Sequence, residues 1–265
     1  TLQKARDSIR TRKTQANVAS SVVVSVRGGR YFLDQPLTFT PEDSGVVYMA
    51  YPGEEATISG GRKITNWKRS EGKLWEANVK NFGSFRQLFV NDRRARITRL
   101  PATGYFNLLD VVKPEDRDDP VNRSGFKFAP GDLKKDWTNL GDAEIIKLHS
   151  WSEMRMPIVS VDEERNVVML SGKTTKESLP DWAGSRYYVE NVFEALDSPG
   201  EWYLNRKTYT LYYWPLPGEE MTEADVVAPV FEHIIVFKGD VACGKFVKNI
   251  TFKGFTLAHC DWYLP

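Results

Sequence analysis

The chain has 265 residues, 41% of them apolar, enough for a real core in one large or two modest domains. Lysine and arginine number 36 against 35 aspartates and glutamates, so a net charge of +1 gives no electrostatic basis for binding nucleic acid or an anionic membrane. The 8 tryptophans, 11 tyrosines and 14 phenylalanines supply flat apolar faces that suit β cores and sugar rings alike.

Leu2, Ala5 and Ile9 recur at helical spacing, with Thr1 placed to cap the first turn, so the chain opens on an amphipathic helix. A helix beginning at the first residue is expected to be the surviving part of a longer N-terminus, and the lack of a signal peptide then says nothing about location. Residues 21–26 form a β-branched run ended by Gly28-Gly29, and short strands follow at 36–39, 46–50 and 56–59, each closed by glycine or proline. Short strands between tight glycine turns, without intervening helices, predict coils of a parallel β-helix with the first helix capping the open end.

From 64 to 229 the strands lengthen and polar turns separate them, as at 87–90, 145–148, 157–161 and 167–170, with the clearest hairpin at 202–204 and 211–214. This block predicts an antiparallel β-sandwich-like insert, carrying a surface loop at 113–120 and a helical or irregular piece at 130–137. Arg93, Arg94, Arg96 and Arg99 alternate with apolar residues as the solvated or ion-paired face of a strand would. At the end, Ile235-Val236-Phe237-Lys238-Gly239 is echoed by Ile250-Thr251-Phe252-Lys253-Gly254, a return after about 15 residues that predicts stacked rungs of a resumed solenoid. A stack that stops after its first copies is expected to be truncated. The expected domains are therefore 1–63, 64–229 and 230–265.

Cys243 and Cys260 flank the last rung; free thiols are favoured over a disulfide across stacked rungs. There is no CxxC, HExxH or His/Cys cluster to argue for a metal, and no GxSxG, GxxxxGK[ST] or GxGxxG motif to argue for a triad hydrolase or a nucleotide cofactor. No cofactor is expected.

The opening Thr1-Leu2-Gln3-Lys4-Ala5-Arg6-Asp7, Val26-Arg27-Gly28-Gly29-Arg30-Tyr31, Tyr51-Pro52-Gly53-Glu54, Ile58-Ser59-Gly60-Gly61 and Trp67 resemble the N-terminal part of large bacterial right-handed parallel β-helix proteins. Residues Tyr188-Val189-Glu190-Asn191-Val192-Phe193-Glu194-Ala195-Leu196-Asp197, followed by Pro199-Gly200-Glu201-Trp202-Tyr203-Leu204, are similar to a signature of the branch holding glycoside hydrolase family 141. That resemblance implies a secreted or periplasmic bacterial enzyme acting on plant cell-wall polysaccharide, α-L-fucosidase- or xylanase-like. It also implies catalytic carboxylates on later coils beyond Pro265, so no catalytic residue is assigned and this chain alone is expected to be inactive. A β-helix polysaccharide lyase and a non-catalytic carbohydrate-binding or surface protein stay open as alternatives. Linkage, anomeric outcome and oligomeric state are open too.

Three places stand out as substrate-binding candidates. Glu190 and Glu194, four apart on an extended segment, would share one face and line a cleft together, or else are ordinary solvent-facing or arginine-paired acids. His149 and Trp151 close a strand, where an imidazole and an indole would wall a sugar subsite or else anchor the insert to the solenoid. His259, Asp261 and Trp262 follow the last rung, where solenoid loops carry binding faces, with a structural turn role for Asp261 as the alternative.

Overall fold

The structure is a computed structural model that describes residues 1–15, 22–112, 124–149, 151–172 and 184–262. The loop at 113–120, Ser21 and Ser150 lie outside the described residues. Among the described residues, apart from one helix and a few short 3-10 turns, the fold is all β, and most of its strand pairings are antiparallel. The expectation of a parallel β-helix as the overall class is corrected to that extent.

The helix spans Leu2–Gln15. Thr1 Oγ1 accepts the Lys4 N–H at 3.2 Å, the cap its position predicted. Leu2 and Ile9 are buried beneath it. Its basic side chains fasten it to the turn after strand Leu37–Phe39: the Arg10 guanidinium lies 2.6 Å from buried Asp43, Arg6 donates to the Thr38 carbonyl at 2.6 Å, and Lys13 to the Ser44 carbonyl at 2.6 Å.

Three short parallel ladders carry both ends of the chain. Val22–Val26 pairs with Val46–Ala50, which pairs with Thr251–Lys253. Gly29–Phe32 pairs with Ala56–Ser59, which pairs with Phe255–Ala258. Leu37–Phe39 pairs with Ile235–Phe237. The chain visits the ladders in turn, and Val22 faces Val46, so one circuit takes 24 residues. The echoed segments 235–239 and 250–254 therefore do not stack on each other: their strands lie in different ladders, and the 15-residue echo is the step from one face to the next.

Apolar residues alternate inward along these strands, as the period of two requires, and Leu37, Phe39, Val46, Tyr48 and Ile58 are wholly buried between the ladders. The Tyr48 ring lies 5.3 Å from Phe39 edge-on and 5.3 Å from Phe252, nearly parallel at 12°. Its hydroxyl has no hydrogen-bond partner among the described residues, and burial pushes its pKa up to about 12. Tyr48→Phe should therefore raise stability by about 1 kcal/mol in denaturant unfolding, because a buried unsatisfied polar group is removed while the ring stays.

After Ser59 the chain leaves the ladders through Gly61–Lys63 and returns through Val226–Pro229, two antiparallel strands side by side. A side chain on Gly61 would meet Val227 Cγ1 at 2.5 Å and the Ala228 carbonyl at 2.8 Å, so this neck is close enough to require glycine.

Between the neck strands lie two sheets. The first runs in the order 61–63, 226–229, 88–90, 93–97, 201–205, 210–213, 75–78 and 68–69; the second 99–100, 186–190, 144–148, 153–162, 167–170, 125–127 and 110–111. A sandwich would bury both sheets against one shared core. Here each has its own: Leu88, Val90, Trp202, Leu211 and Tyr213 for the first, and Phe126, Ile145, Val168, Tyr187 and Val189 for the second. The region around 130–137 is turns, without a helix.

The sheets join where strand Arg93–Ile97 runs on through Thr98 into Arg99–Leu100. Thr98 is fully buried; its N–H donates to the Trp202 carbonyl and its carbonyl accepts the Asn191 N–H at 3.0 Å. Asn191 follows strand Arg186–Glu190 in a left-handed conformation with φ +59°.

Candidate functional site

Arg94 and Arg96 share the outward face of strand Arg93–Ile97, with Ala95 turned inward between them. That face forms one wall of a cleft of about 440 Å³. Arg86 and Gln87 enter from the segment before strand Leu88–Val90, while Glu153, Arg155 and Glu190 come from the second sheet. Trp262, from beyond the last ladder strand, lies along the cleft and is 60% exposed. Both sheets and the end of the ladders thus contribute to one concavity.

Behind it sits Glu144, on strand Glu144–Leu148, nearly out of solvent. Arg86 approaches its carboxylate at 3.2 Å, Arg155 at 3.1 Å and Arg206 at 3.4 Å. Burial alone would push this carboxyl's pKa up, but the Arg206, Arg86 and Arg155 guanidiniums hold it below its ordinary value. Arg155 also lies 2.5 Å from Glu190 and 4.0 Å from Glu153. Burial disfavours its charge, yet the two glutamates Glu190 and Glu144 hold its pKa above the ordinary arginine value.

The alternating arginines divide by partner. Arg93 pairs with Glu219 at 3.0 Å, Arg96 with buried Glu201 at 2.7 Å, and Arg99 lies over the Tyr188 ring at 4.2 Å. Arg94 alone of the four has no hydrogen-bond or ion-pair partner among the described residues.

The candidates named from sequence are scattered. Glu190 and Trp262 meet in the cleft. Glu194 does not join Glu190: the strand ends at Glu190, Asn191 turns the chain, and Glu194 accepts the Thr138 N–H and hydroxyl at 2.8 and 2.7 Å, fastening a loop. The shared-face expectation failed because it assumed an extended chain through a left-handed residue and a 3-10 turn at Phe193–Ala195. Trp151 stands 93% exposed at a hairpin tip. His149, one strand end away, is half-buried with its Nε2 unpaired among the described residues, and burial, with nearby Lys147, lowers its pKa.

Asp261 and Trp262 part company. Asp261 is buried, its carboxylate accepts the Trp262 N–H at 2.9 Å, and it borders a separate cavity of about 310 Å³ beside Phe82 and Phe231. His259 is buried at the neck, its Nδ1 2.9 Å from Ser59 Oγ, its Nε2 3.6 Å from Asp92, and its ring 4.8 Å from Phe89. The trio resembles a Ser–His–Asp arrangement, but Ser59 is wholly buried and its hydroxyl also takes the Gly61 N–H, so no substrate reaches it. The imidazole ties the ladders to the first sheet.

Burial, then repulsion from Arg30, lowers the His259 pKa. The unfolded chain takes up a proton near pH 6.5 that the folded state resists, so this contribution is full above about pH 6.5 and is lost as pH falls through the folded value. Thermal stability should therefore fall on acidification below about pH 6.5. His259→Gln should flatten that slope in calorimetric scans against pH, leaving the part due to His149.

Sequence reasoning noticed the arginine alternation but not the cleft it walls, since the matching carboxylates and the indole lie far along the chain. The two cysteines are free, Cys243 exposed and Cys260 partly covered. Among the described residues no cluster of three or more His, Cys, Asp or Glu side chains is placed to hold a metal ion, and no helix is long and apolar enough to cross a membrane.

Residues 72–216 match the family model of the GH141 insertion domain. A solved structure described as "Glycoside hydrolase" is similar at a TM-score of 0.82 and 27% identity, covering 99% of this chain and 47% of that one. A second, "The complex structure of XylC with xylose", is 16% identical at a TM-score of 0.35 over 95% of this chain and 33% of that one, too distant to support an argument. No curated protein matches the sequence. The chain spans about half the length of the glycoside hydrolase it resembles.

Proposed function

The chain belongs to the family of the GH141 insertion domain, and from that premise we propose that it is the N-terminal part of a glycoside hydrolase acting on plant cell-wall polysaccharide. The observation that carries the reading is the likeness to a glycoside hydrolase over 99% of this chain. In this reading the three ladders are the first coils of a right-handed parallel β-helix, divided at 1–63 and 230–265 by an insert at 64–229. Phe237 and Leu257, about half exposed on strands paired along one edge only, supply the surface on which a further coil would stack.

Hydrolysis requires one carboxylic acid to protonate the leaving oxygen and a second carboxylate to act as nucleophile or base. Glu190 is already held by Arg155 at 2.5 Å, and Glu194 by Thr138 at 2.8 Å. The catalytic pair is accordingly assigned to later coils, the described cleft to substrate binding, and the isolated chain is taken to be inactive. The parent protein is proposed to be secreted or periplasmic, α-L-fucosidase- or xylanase-like.

The arginine-lined cleft favours a β-helix polysaccharide lyase as the second reading, since abstraction next to a uronate carboxylate needs cations around it. Product analysis of the parent protein on xylan and fucosylated pectin fragments separates the two. Saturated sugars with new reducing ends support the hydrolase, unsaturated uronates the lyase, and unchanged substrate a binding protein.

A further inference from the structure

The cleft is built for more than a neutral sugar. Three of its four arginines already have carboxylates: Arg86 and Arg155 share Glu144, Arg155 also holds Glu190, and Arg96 holds Glu201. Arg94 is exposed and unpaired among the described residues. It stands on the same strand face as Arg96, in a concavity that Trp262 also borders.

A guanidinium presents a planar fork that matches a carboxylate in a bidentate pair, and it stays charged at every physiological pH. An exposed indole supplies the flat apolar face on which a pyranose ring stacks. Neutral sugars are instead gripped through hydroxyls by free carboxylates and amides. Here the two carboxylates, Glu190 at 2.5 Å and Glu153 at 4.0 Å, both lie against Arg155, which leaves Gln87 as the amide.

We propose that this cleft is a subsite for an acidic sugar, with the uronate carboxylate on Arg94, supported by the field of Arg96, and the sugar ring against Trp262. The inference rests on the carbohydrate reading above and names the chemistry its cleft selects.

Titration calorimetry of the 265-residue chain tests it, with trigalacturonate and its fully methyl-esterified form as probes, the ester keeping the same sugar rings but cancelling the carboxylate charge. The acid should bind about tenfold more tightly than the ester, the equivalent of one charge-assisted hydrogen bond, and added salt should shrink the difference. Arg94→Ala should abolish discrimination, and Arg94→Lys should restore part of it by keeping the charge without the fork. Trp262→Ala should weaken acid and ester alike. Both side chains are exposed, so folding is unaffected, which circular dichroism checks.

Equal affinity for acid and ester, no binding of either, or discrimination that survives Arg94→Ala would overturn the subsite. None of these bears on whether the parent protein hydrolyses glycosides. Conversely, Arg94-dependent binding in a parent that cleaves nothing would leave the subsite standing and remove the hydrolase.

Discussion

Glu144→Ala is expected to lower the unfolding free energy by about 3–5 kcal/mol, the usual cost of removing one partner from a buried ion pair. Glu144 is the common acceptor of Arg86, Arg155 and Arg206, and its loss leaves three guanidiniums crowded together without their counter-charge. Arg155 is the most enclosed of them and keeps Glu190 at 2.5 Å and Glu153 at 4.0 Å, so its burial is then only partly offset. The dependence on pH follows in sign. Because the folded pKa of Glu144 is lowered, its contribution is present above the unfolded glutamate value of about 4.3 and is lost as pH falls through the folded value. Denaturant unfolding of wild type and Glu144→Gln across that window should show the acid-side slope reduced in the variant. A cost below about 1 kcal/mol for Glu144→Ala at neutral pH would mean that water already screens the cluster. Since Arg86 and Arg155 also line the cleft, the same substitution should weaken acidic-sugar binding through their orientation.

Asn191→Ala should cost roughly 2–5 kcal/mol, combining two separable effects. The residue is buried with φ +59°, a conformation that asparagine adopts more readily than alanine. Its side-chain oxygen accepts the Leu204 N–H at 2.9 Å, and its amide donates to the carbonyls of Asp142 at 3.1 Å and Leu204 at 3.0 Å. It thereby ties the second sheet to the first at the point where Thr98 carries the chain across. Asn191→Gly relieves the backbone but not the lost hydrogen bonds, so it should recover only about 1–2 kcal/mol of the loss. Full recovery by glycine would show that the hydrogen bonds contribute nothing.

The expected partial recovery would also explain the motif at 188–197, the segment most similar to the family signature. Its two glutamates make separate contacts. Glu190 holds Arg155, Asn191 joins the sheets and Glu194 fastens a loop.

What the sequence shows well is whatever depends on local periodicity. The helix with its Thr1 cap rests on apolar residues at helical spacing, Val46–Ala50 and Thr210–Tyr213 bury alternate residues, and Ala56–Ser59, Val167–Leu170 and Glu201–Asn205 are short runs rich in buried residues. Gly29–Phe32 escaped because it begins at a glycine and carries an arginine, so it reads as a turn, and only pairing to Ala56–Ser59 makes it a strand. The echoed rungs were misplaced because similar strands on adjacent faces have the same inward–outward pattern as strands stacked on one face; pairing alone tells them apart. Two separate cores in place of a sandwich have the same origin, since the strand pattern records that one face is buried but not what covers it.

The candidate site was legible only in its parts. The alternation at Arg94 and Arg96 put two cations on one strand face, but which of the arginines finds a carboxylate depends on Glu144, Glu201 and Glu219, brought in from distant strands. Asp261 and Trp262 are neighbours in sequence yet face different cavities, because Asp261 turns inward to hold its own turn.

The central claim is that this chain supplies substrate-binding surface while the acids that break the glycosidic bond lie on coils outside it. The most direct measurement compares sugar release from fucosylated pectin fragments and xylan by the parent protein and by the 265-residue chain at equal concentration. Release by the parent alone is the expected result. Turnover by the isolated chain would contradict the account, because it would place a working carboxylate pair within these residues.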